Sequence, residues 1–574
     1  AAVFGVLGVL ALFGLAHEAQ RLAPGRLSPA LPWLAAGSLA TMRWHLHFSR
    51  MGIEPILVPL LWAAANWLLL RGWRTGSGWA YAGCGLALAL GMYAYQGAWT
   101  LPFVVAATAL HLLWAARLQD RSQIGGRLAR LGVAAGVALI GVAPLAWTFA
   151  QQPDLLLLRP AQLAIVGQTD SPADSSLGAA LWATAKMFGP LGAPGDLDPR
   201  RNLPGAPALN LWQAIPFYLG LALALWRMAR PIFALPLVGL AGLLLPGVFS
   251  EYAPHFHRVL GAAGPAALLC GLGLDTIWQG GRRAGLRLAG PPLAAGLLVI
   301  GAASAAQTYF VRWAALPDLF YAFDAGLWEL GRWTAALPAN QPLYVTPRGP
   351  DHPTLAFAWR SRPAPVGFDG RYLFPHTTGT NGTPEHYAVV EHEDFRTPLL
   401  LPAVLPAAST VYTLTDFTGQ PYAQVYTRPA GSTPDRPPQT PVAATLGDGI
   451  KLMGYDVLPQ PPRAGEILYL QLHWIVVAPP AQDWTVFTHV LAPNGDEAGA
   501  VVAGHDSRPG QGSLPTVRWQ PGWRILDEYQ IPLPDDLPPG EYALAVGLYL
   551  ADGARLPAEG PGVMLGTVTV EAQE

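Results

Sequence analysis

The sequence predicts a polytopic α-helical membrane protein, continued by a mixed α/β segment and an all-β sandwich. Three observations predict it. Ten apolar segments fill residues 1–310, arginine gathers in every second connection between them, and from Gly447 onward the hydrophobic pattern becomes period two. The expected boundaries are 1–310 for the membrane domain, 311–440 for a mixed module with its linker, and 445–574 for the sandwich.

Charge supports the division. Residues 1–310 carry 20 Arg+Lys against 10 Asp+Glu, and residues 311–574 carry 15 against 27. Ten acidic groups cannot clothe a soluble surface of 310 residues, so lipid must cover most of it. Neither half shows a dense basic stripe, which argues against a nucleic-acid partner. The two cysteines, Cys84 and Cys270, lie inside apolar segments and read as small hydrophobes. The chain opens at Ala1 inside a hydrophobic stretch with no charged n-region, so no signal peptide is visible and a truncated amino terminus is expected.

The apolar segments run at 1–16, 28–44, 53–70, 79–95, 100–116, 131–150, 209–226, 231–247, 259–278 and 290–310. Backbone groups in lipid must pair within their own segment, so these are helices. Gln96, Gly97 and Pro102 separate the fourth from the fifth as a tight hairpin. One set of connections holds Arg21, Arg26, Arg71, Arg74, Arg117, Arg121, Arg127, Arg130, Arg227, Arg230, Arg282, Arg283 and Arg287; the short loops of the other set hold only Arg43, Arg50 and Arg258. Short cytoplasmic loops retain basic residues, so the first set is assigned inside. The 151–208 loop and everything after residue 310 are then extracytoplasmic, at the cell membrane.

Three outer connections carry the polar chemistry. They are Trp44–Pro55, with His45, His47, Arg50 and Glu54; Tyr93–Trp99, with Tyr93, Tyr95 and Gln96; and Glu251–Arg258, with His255, His257 and Arg258. Polar groups at membrane depth are costly and usually face a cavity or one another. Pro55, Pro102 and Pro254 lie near the starts of helices whose amino termini point outward and suit a phosphate. Arg50 and Arg258 offer bidentate contacts to a phosphate or pyrophosphate. The aromatic rings offer faces to sugars or isoprene units. Glu54 offers a carboxylate base or a ligand for a divalent metal ion. Each residue also has a plainer role: interfacial belt for Tyr93, Tyr95 and Trp99, snorkelling anchor for Arg258, an Arg50–Glu54 ion pair. Convergence on one face favours the functional role.

The runs His45-Leu46-His47-Phe48-Ser49-Arg50-Met51-Gly52-Ile53-Glu54-Pro55, Gly91-Met92-Tyr93-Ala94-Tyr95-Gln96 and His255-Phe256-His257-Arg258-Val259-Leu260-Gly261 resemble bacterial members of glycosyltransferase family 39. These are relatives of protein O-mannosyltransferases and of the aminoarabinose transferase that modifies lipid A. The resemblance covers about residues 1–310 and implies a GT-C fold, an active site at the outer membrane face and a polyprenyl-phosphate sugar donor. It also implies a catalytic acid in the first outer loop, a position that no Asp or Glu of this chain occupies. The chain is therefore expected to begin within the third or fourth helix of a complete member, as an inactive fragment of an active enzyme.

In residues 311–440 a helical stretch, Asp318–Ala336, precedes short apolar runs at Pro342–Thr346 and Thr410–Leu414. His386, Glu391, His392, Glu393 and Asp394 match no standard zinc spacing and read as a solvated acidic loop. Asn381-Gly382-Thr383 is a formal sequon read as a turn, and Arg428–Pro441 reads as a linker. Strands are expected at Ile467–Trp474, Trp484–Leu491, Ile525–Pro532 and Tyr542–Leu550, with hairpin turns at Asn494-Gly495 and Asp552-Gly553. Trp519 and Trp523 are candidate carbohydrate contacts if exposed, but core or edge aromatics are the commoner explanation.

The leading expectation is a membrane glycosyltransferase that moves a sugar from a polyprenyl-phosphate donor to a hydroxyl on a protein, lipid or glycan acceptor. The alternatives are a transporter or flippase for a lipid-linked sugar and a membrane-anchored glycan-binding protein. Almost charge-free segment interiors disfavour the first alternative. Ten helices exceed what an anchor needs.

Overall fold

The structure, a computed structural model, describes all residues except 120, 157–175, 190–194, 251, 284–288, 380–381, 448, 493–499, 559–561 and 573–574. It divides into two compact units, Ala1–Leu319 and Phe320–Glu574. Glu251, Arg287, Asn381 and the Asn494-Gly495 turn lie outside the described residues.

The first unit is helical: α1 (Ala2–Leu22), α2 (Leu31–Thr41), α3 (Arg43–Arg50), α4 (Leu57–Thr75), α5 (Gly78–Ala94), α6 (Leu101–Gln119), α7 (Ile124–Gln151), α8 (Leu177–Lys186), α9 (Leu211–Trp226), α10 (Pro231–Val248), α11 (Ala263–Arg283) and α12 (Gly290–Gln307). Each of the ten apolar segments holds one of these helices. Among the described residues, seven helical stretches are long and apolar enough to cross a membrane, from Ala2–Leu22 through Gly290–Trp313. The chain is a multi-pass membrane protein. α2, α5 and α9 are shorter, at 11, 17 and 16 residues.

α11 forms the centre of the bundle, and its Ala263, Ala266, Ala267, Leu269 and Cys270 are almost wholly buried. Without a hydrophobic driving force between helices in lipid, close backbone approach through small residues holds such a bundle together. A Cβ at Gly220 of α9 would stand 1.9 Å from the Leu269 carbonyl oxygen, and one at Gly273 of α11 would stand 1.8 Å from that of Pro216. The pair lets two backbones touch where any side chain would part them. α7 lies at the other extreme, with only 6% of its apolar window buried, as expected of a lipid-facing helix.

The second unit contains a mixed sheet and a sandwich. The helix predicted from Asp318 to Ala336 breaks at Asp324, whose φ is 52°, and continues as α13 (Ala325–Ala335). β1 (Leu343–Thr346), α14 (Pro353–Ala358), β2 (Val366–Gly367), β3 (Leu373–Thr377), β4 (Glu385–Val389), α15 (Arg396–Val404), β5 (Ser409–Thr415) and β6 (Pro421–Arg428) follow. β2-β1-β4-β6-β5 is the mixed sheet, parallel from β2 to β4. The five-residue cluster from His386 to Asp394 does not converge: His386 bonds Thr427 and Gln341, whereas Asp394 accepts from Thr346 and Thr397.

The sandwich uses β7 (Thr440–Leu446), β8 (Ile450–Leu458), β9 (Ile467–Val476), β10 (Thr485–Leu491), β11 (Val501–Gly504), β12 (Trp523–Pro532), β13 (Gly540–Tyr549) and β14 (Val563–Val570). One sheet is β3-β12-β9-β8-β7 and the other β11-β10-β13-β14. Period-two burial makes one core from both: Leu468, Leu470, Leu472 and Trp474 of β9 join Leu544, Val546 and Leu548 of β13. β3 joins the sheet from within the stretch assigned to the mixed module. Gly553, at φ 86°, makes the expected turn after β13. Trp519 (1% exposed) and Trp523 (4%) are core residues, so neither is a carbohydrate contact. The sequence pattern there does not distinguish an inward from an outward ring.

Candidate functional site

α3 is eight residues long and buried on three sides, and its register sorts the predicted side chains. Positions four apart share a helix face. Arg43, His47 and Arg50 turn toward the π-helical turn Thr308–Trp313 that ends α12. The His47 ring lies 4.2 Å from that of Trp313, and its Nε2 bonds the Arg200 carbonyl at 2.9 Å. The exposed Arg50 guanidinium sits 5.5 Å over Tyr309 and 5.6 Å over Phe310. Trp44 and Phe48 turn toward the 252–258 loop. Trp44 Nε1–H donates to the Phe256 carbonyl at 3.0 Å, and the Phe48 ring stacks on His257 at 6.0 Å. His45 and Ser49 face α1, near Gly8 and Gly5.

His257 is the meeting point of all three predicted connections. It stacks on Phe48 from one and on Tyr95, at 5.6 Å, from another. Glu54 and Arg258 both act electrostatically on Tyr95 and His257, which makes these four residues one coupled group. A Cβ on Gly97 would meet the Tyr95 ring at 2.6 Å and the Arg258 carbonyl at 3.5 Å, so glycine lets that loop close onto the group. Gln96 is half-buried beside it. His255 is buried 5.8 Å from His257 and accepts from the Arg258 amide through Nδ1. Glu54 itself is exposed and opens the short 3-10 turn before α4.

Four predicted residues stand apart from this group: His45 against α1, His47 and Arg50 on the Tyr309 side of α3, and Tyr93. Tyr93 is 51% exposed, and its hydroxyl donates to the Gly141 carbonyl of α7, an interhelical contact of a belt residue. Arg50 lies on the Tyr309 face of α3, whereas Arg258 lies with Tyr95 and His257.

Burial sets the histidine charges. His45, His47 and His257 are each lowered to about 4, and His255 to about 2, by burial first. Arg201 and Arg258 add to the shift at His255 and His257, while Glu54 opposes it at His257. All four imidazoles are neutral at pH 7, so the fixed positive charge here belongs to arginine.

The supporting frame comes from residues with no sequence motif. Asp196 is wholly buried; it pairs with Arg201 at 2.8 Å and accepts from the Phe256 amide at 2.9 Å. Arg201 also covers the Tyr252 ring at 5.6 Å. Asn202 accepts from Arg43 at 2.5 Å, and Trp313 Nε1–H donates to the Pro199 carbonyl at 3.0 Å. The loop Asp196–Asn202 therefore clamps α3, the 252–258 loop and the π-helical turn together. Its Asp-Leu-Asp-Pro-Arg-Arg-Asn run stands out in a long stretch of sparse charge, and that was the available signal. Among the described residues no three His, Cys, Asp or Glu side chains converge to hold a metal ion. Glu54 and the neutral His257 alone are a poor donor set for one.

No family model and no curated protein matches the chain. Among solved structures it is similar to ArnT from Cupriavidus metallidurans in the apo state, with TM-score 0.41 and 15% identity over 75% of this chain and 83% of that one. The same protein bound to undecaprenyl phosphate gives TM-score 0.37 and 14% identity, over 75% and 83%. Arabinofuranosyltransferase AftD from Mycobacteria gives TM-score 0.37 and 12% identity over 97% of this chain and 55% of that one, so the chain spans about half its length. Likeness at this level carries no argument about chemistry, which rests on the residues above.

Proposed function

We propose that the chain is the membrane part, with an attached β-rich region, of a GT-C-type glycosyltransferase of the extracytoplasmic face. It takes a polyprenyl-phosphate-linked sugar as donor and a hydroxyl of a protein, lipid or glycan as acceptor. The observation that carries this is the coupled group Glu54, Tyr95, His257 and Arg258 at the arginine-poor end of the bundle. An arginine, a carboxylate and aromatic faces are what a phosphorylated sugar lipid needs. The starts of α4, α6 and α11 follow the same three connections and add the positive ends of their dipoles.

In the step proposed, the acceptor oxygen bonds to the anomeric carbon as the anomeric C–O bond to phosphate breaks. The polyprenyl phosphate leaves with the electron pair, and the hydroxyl proton passes to the Glu54 carboxylate. Arg258 neutralises charge on the leaving phosphate. Arg50, at the Tyr309 side, holds a more distant part of the lipid phosphate or sugar. The positive-inside distribution of thirteen arginines supports the orientation.

The test is sugar transfer by the natural full-length protein in proteoliposomes from a radiolabelled polyprenyl-phosphate donor. Arg258→Ala and Glu54→Gln should each lower the rate by about 100-fold or more while melting stays unchanged. Arg50→Ala should raise KM more than it lowers kcat. Wild-type rates in both Arg258→Ala and Glu54→Gln would remove these roles.

A further inference from the structure

The sandwich sheet carries a polar pocket on the face turned away from its core. Cross-strand pairs put side chains on the same face, and Arg524 of β12 stands opposite His376 of β3 and Ile475 of β9. Leu526 stands opposite His473, so His376, Arg524 and His473 share that face. Val404 at the end of α15, the run Arg436–Pro438 and Met453 close a cavity of about 180 Å3 over them.

Charge in this cavity is unbalanced. Asp456 already serves Arg436 and His473, each at 3.2 Å, and the Gln439 amide at 2.7 Å. Glu528 already serves Arg396 and Gln471, each at 2.8 Å. No carboxylate answers Arg524, and its buried Nε–H has no acceptor among the described residues. A buried donor left this way is unfavourable, and an incoming acceptor would recover the cost. His376 supplies the opposite kind of group. Its Nδ1–H donates to the Thr377 carbonyl at 3.1 Å, and burial lowers it to about 3, so Nε2 is a lone-pair acceptor. Arginine alone would suit any anion. An acceptor nitrogen nearby disfavours an anion with only acceptor oxygens and favours one that also carries hydroxyls. The volume matches about six waters, more than one phosphate fills, and Met453, Val404 and the two prolines give a sugar ring apolar surface.

We infer that this pocket binds a carboxylate-bearing sugar residue, a uronate, with the carboxylate on Arg524 and a ring hydroxyl on His376. The inference is independent of the transferase role, and its site lies wholly within the second unit.

The experiment titrates the whole chain in detergent with D-glucuronate, D-glucose and inorganic phosphate at equal ionic strength, read by ligand-observed NMR. Glucuronate should bind saturably and at least about tenfold more tightly than either control, and Arg524→Met should weaken it by about tenfold or more at unchanged melting temperature. Should Arg524→Met not fold, Met453→Trp fills the mouth of the cavity and should give the same loss. The inference is overturned if phosphate binds as tightly (a plain anion site) or if glucose does (a neutral sugar site). No saturable glucuronate binding, or wild-type affinity in the folded variant, overturns it as well.

Discussion

His45, His47, His255 and His257 are the histidines of the three outer connections, and they owe their state to burial. Their folded values lie near 4 or below, under the ordinary value near 6.5 of an unfolded chain. A group depressed on folding contributes stability that is fully present above its unfolded value and is lost as pH falls through its folded one. Melting of the detergent-solubilised chain should therefore weaken steadily from about pH 6.5 down to about pH 4. A melting temperature that stays level across that window would contradict neutral, buried imidazoles. Identity was legible at this scale, and environment was not. His257 was named from its motif, but its place between Phe48 and Tyr95 follows from the register of α3, which no local pattern shows. Tyr93 carried the same aromatic signal as Tyr95 and faces α7 instead. Trp519 and Trp523 read more readily as packed aromatics than as ligand contacts, and they are core.

Helices and strands were the most legible level, because each follows from a period. Twenty apolar residues in lipid have one way to pair their backbone, and alternation over eight residues has one way to bury half its side chains. Contacts between elements follow from small residues whose partners are distant in sequence. Gly220 and Gly273 lie 53 positions apart and bring α9 against α11. Gly220→Leu or Gly273→Val should push the helices apart and cost about 1–3 kcal/mol, seen as a lower melting temperature and a smaller yield of folded protein. Gly296→Val in α12, where a Cβ meets nothing within 4 Å, is the control and should be near neutral. Equal stability in all three would show that the α9–α11 contact does not hold the bundle.

For the whole molecule, the alternation of arginine-rich and arginine-poor connections predicts an orientation, and in the proposed function that orientation gives the Glu54–Tyr95–His257–Arg258 group an extracytoplasmic position. The division into a helical and a β-rich part could be drawn from charge alone. The clamp at Asp196–Asn202 could not, since it joins α3, the 252–258 loop and the π-helical turn across gaps of tens to more than a hundred residues. The central claim is that a polyprenyl phosphate seats at that end of the bundle, and photolabelling tests it most directly. A diazirine-bearing polyprenyl phosphate is irradiated with the chain in liposomes, and the labelled peptides are mapped. Label concentrated in 43–58, 93–99 and 252–260, and competed away by unlabelled polyprenyl phosphate, is the result expected. Label spread along the lipid-facing α7, with none in those three segments, would contradict it.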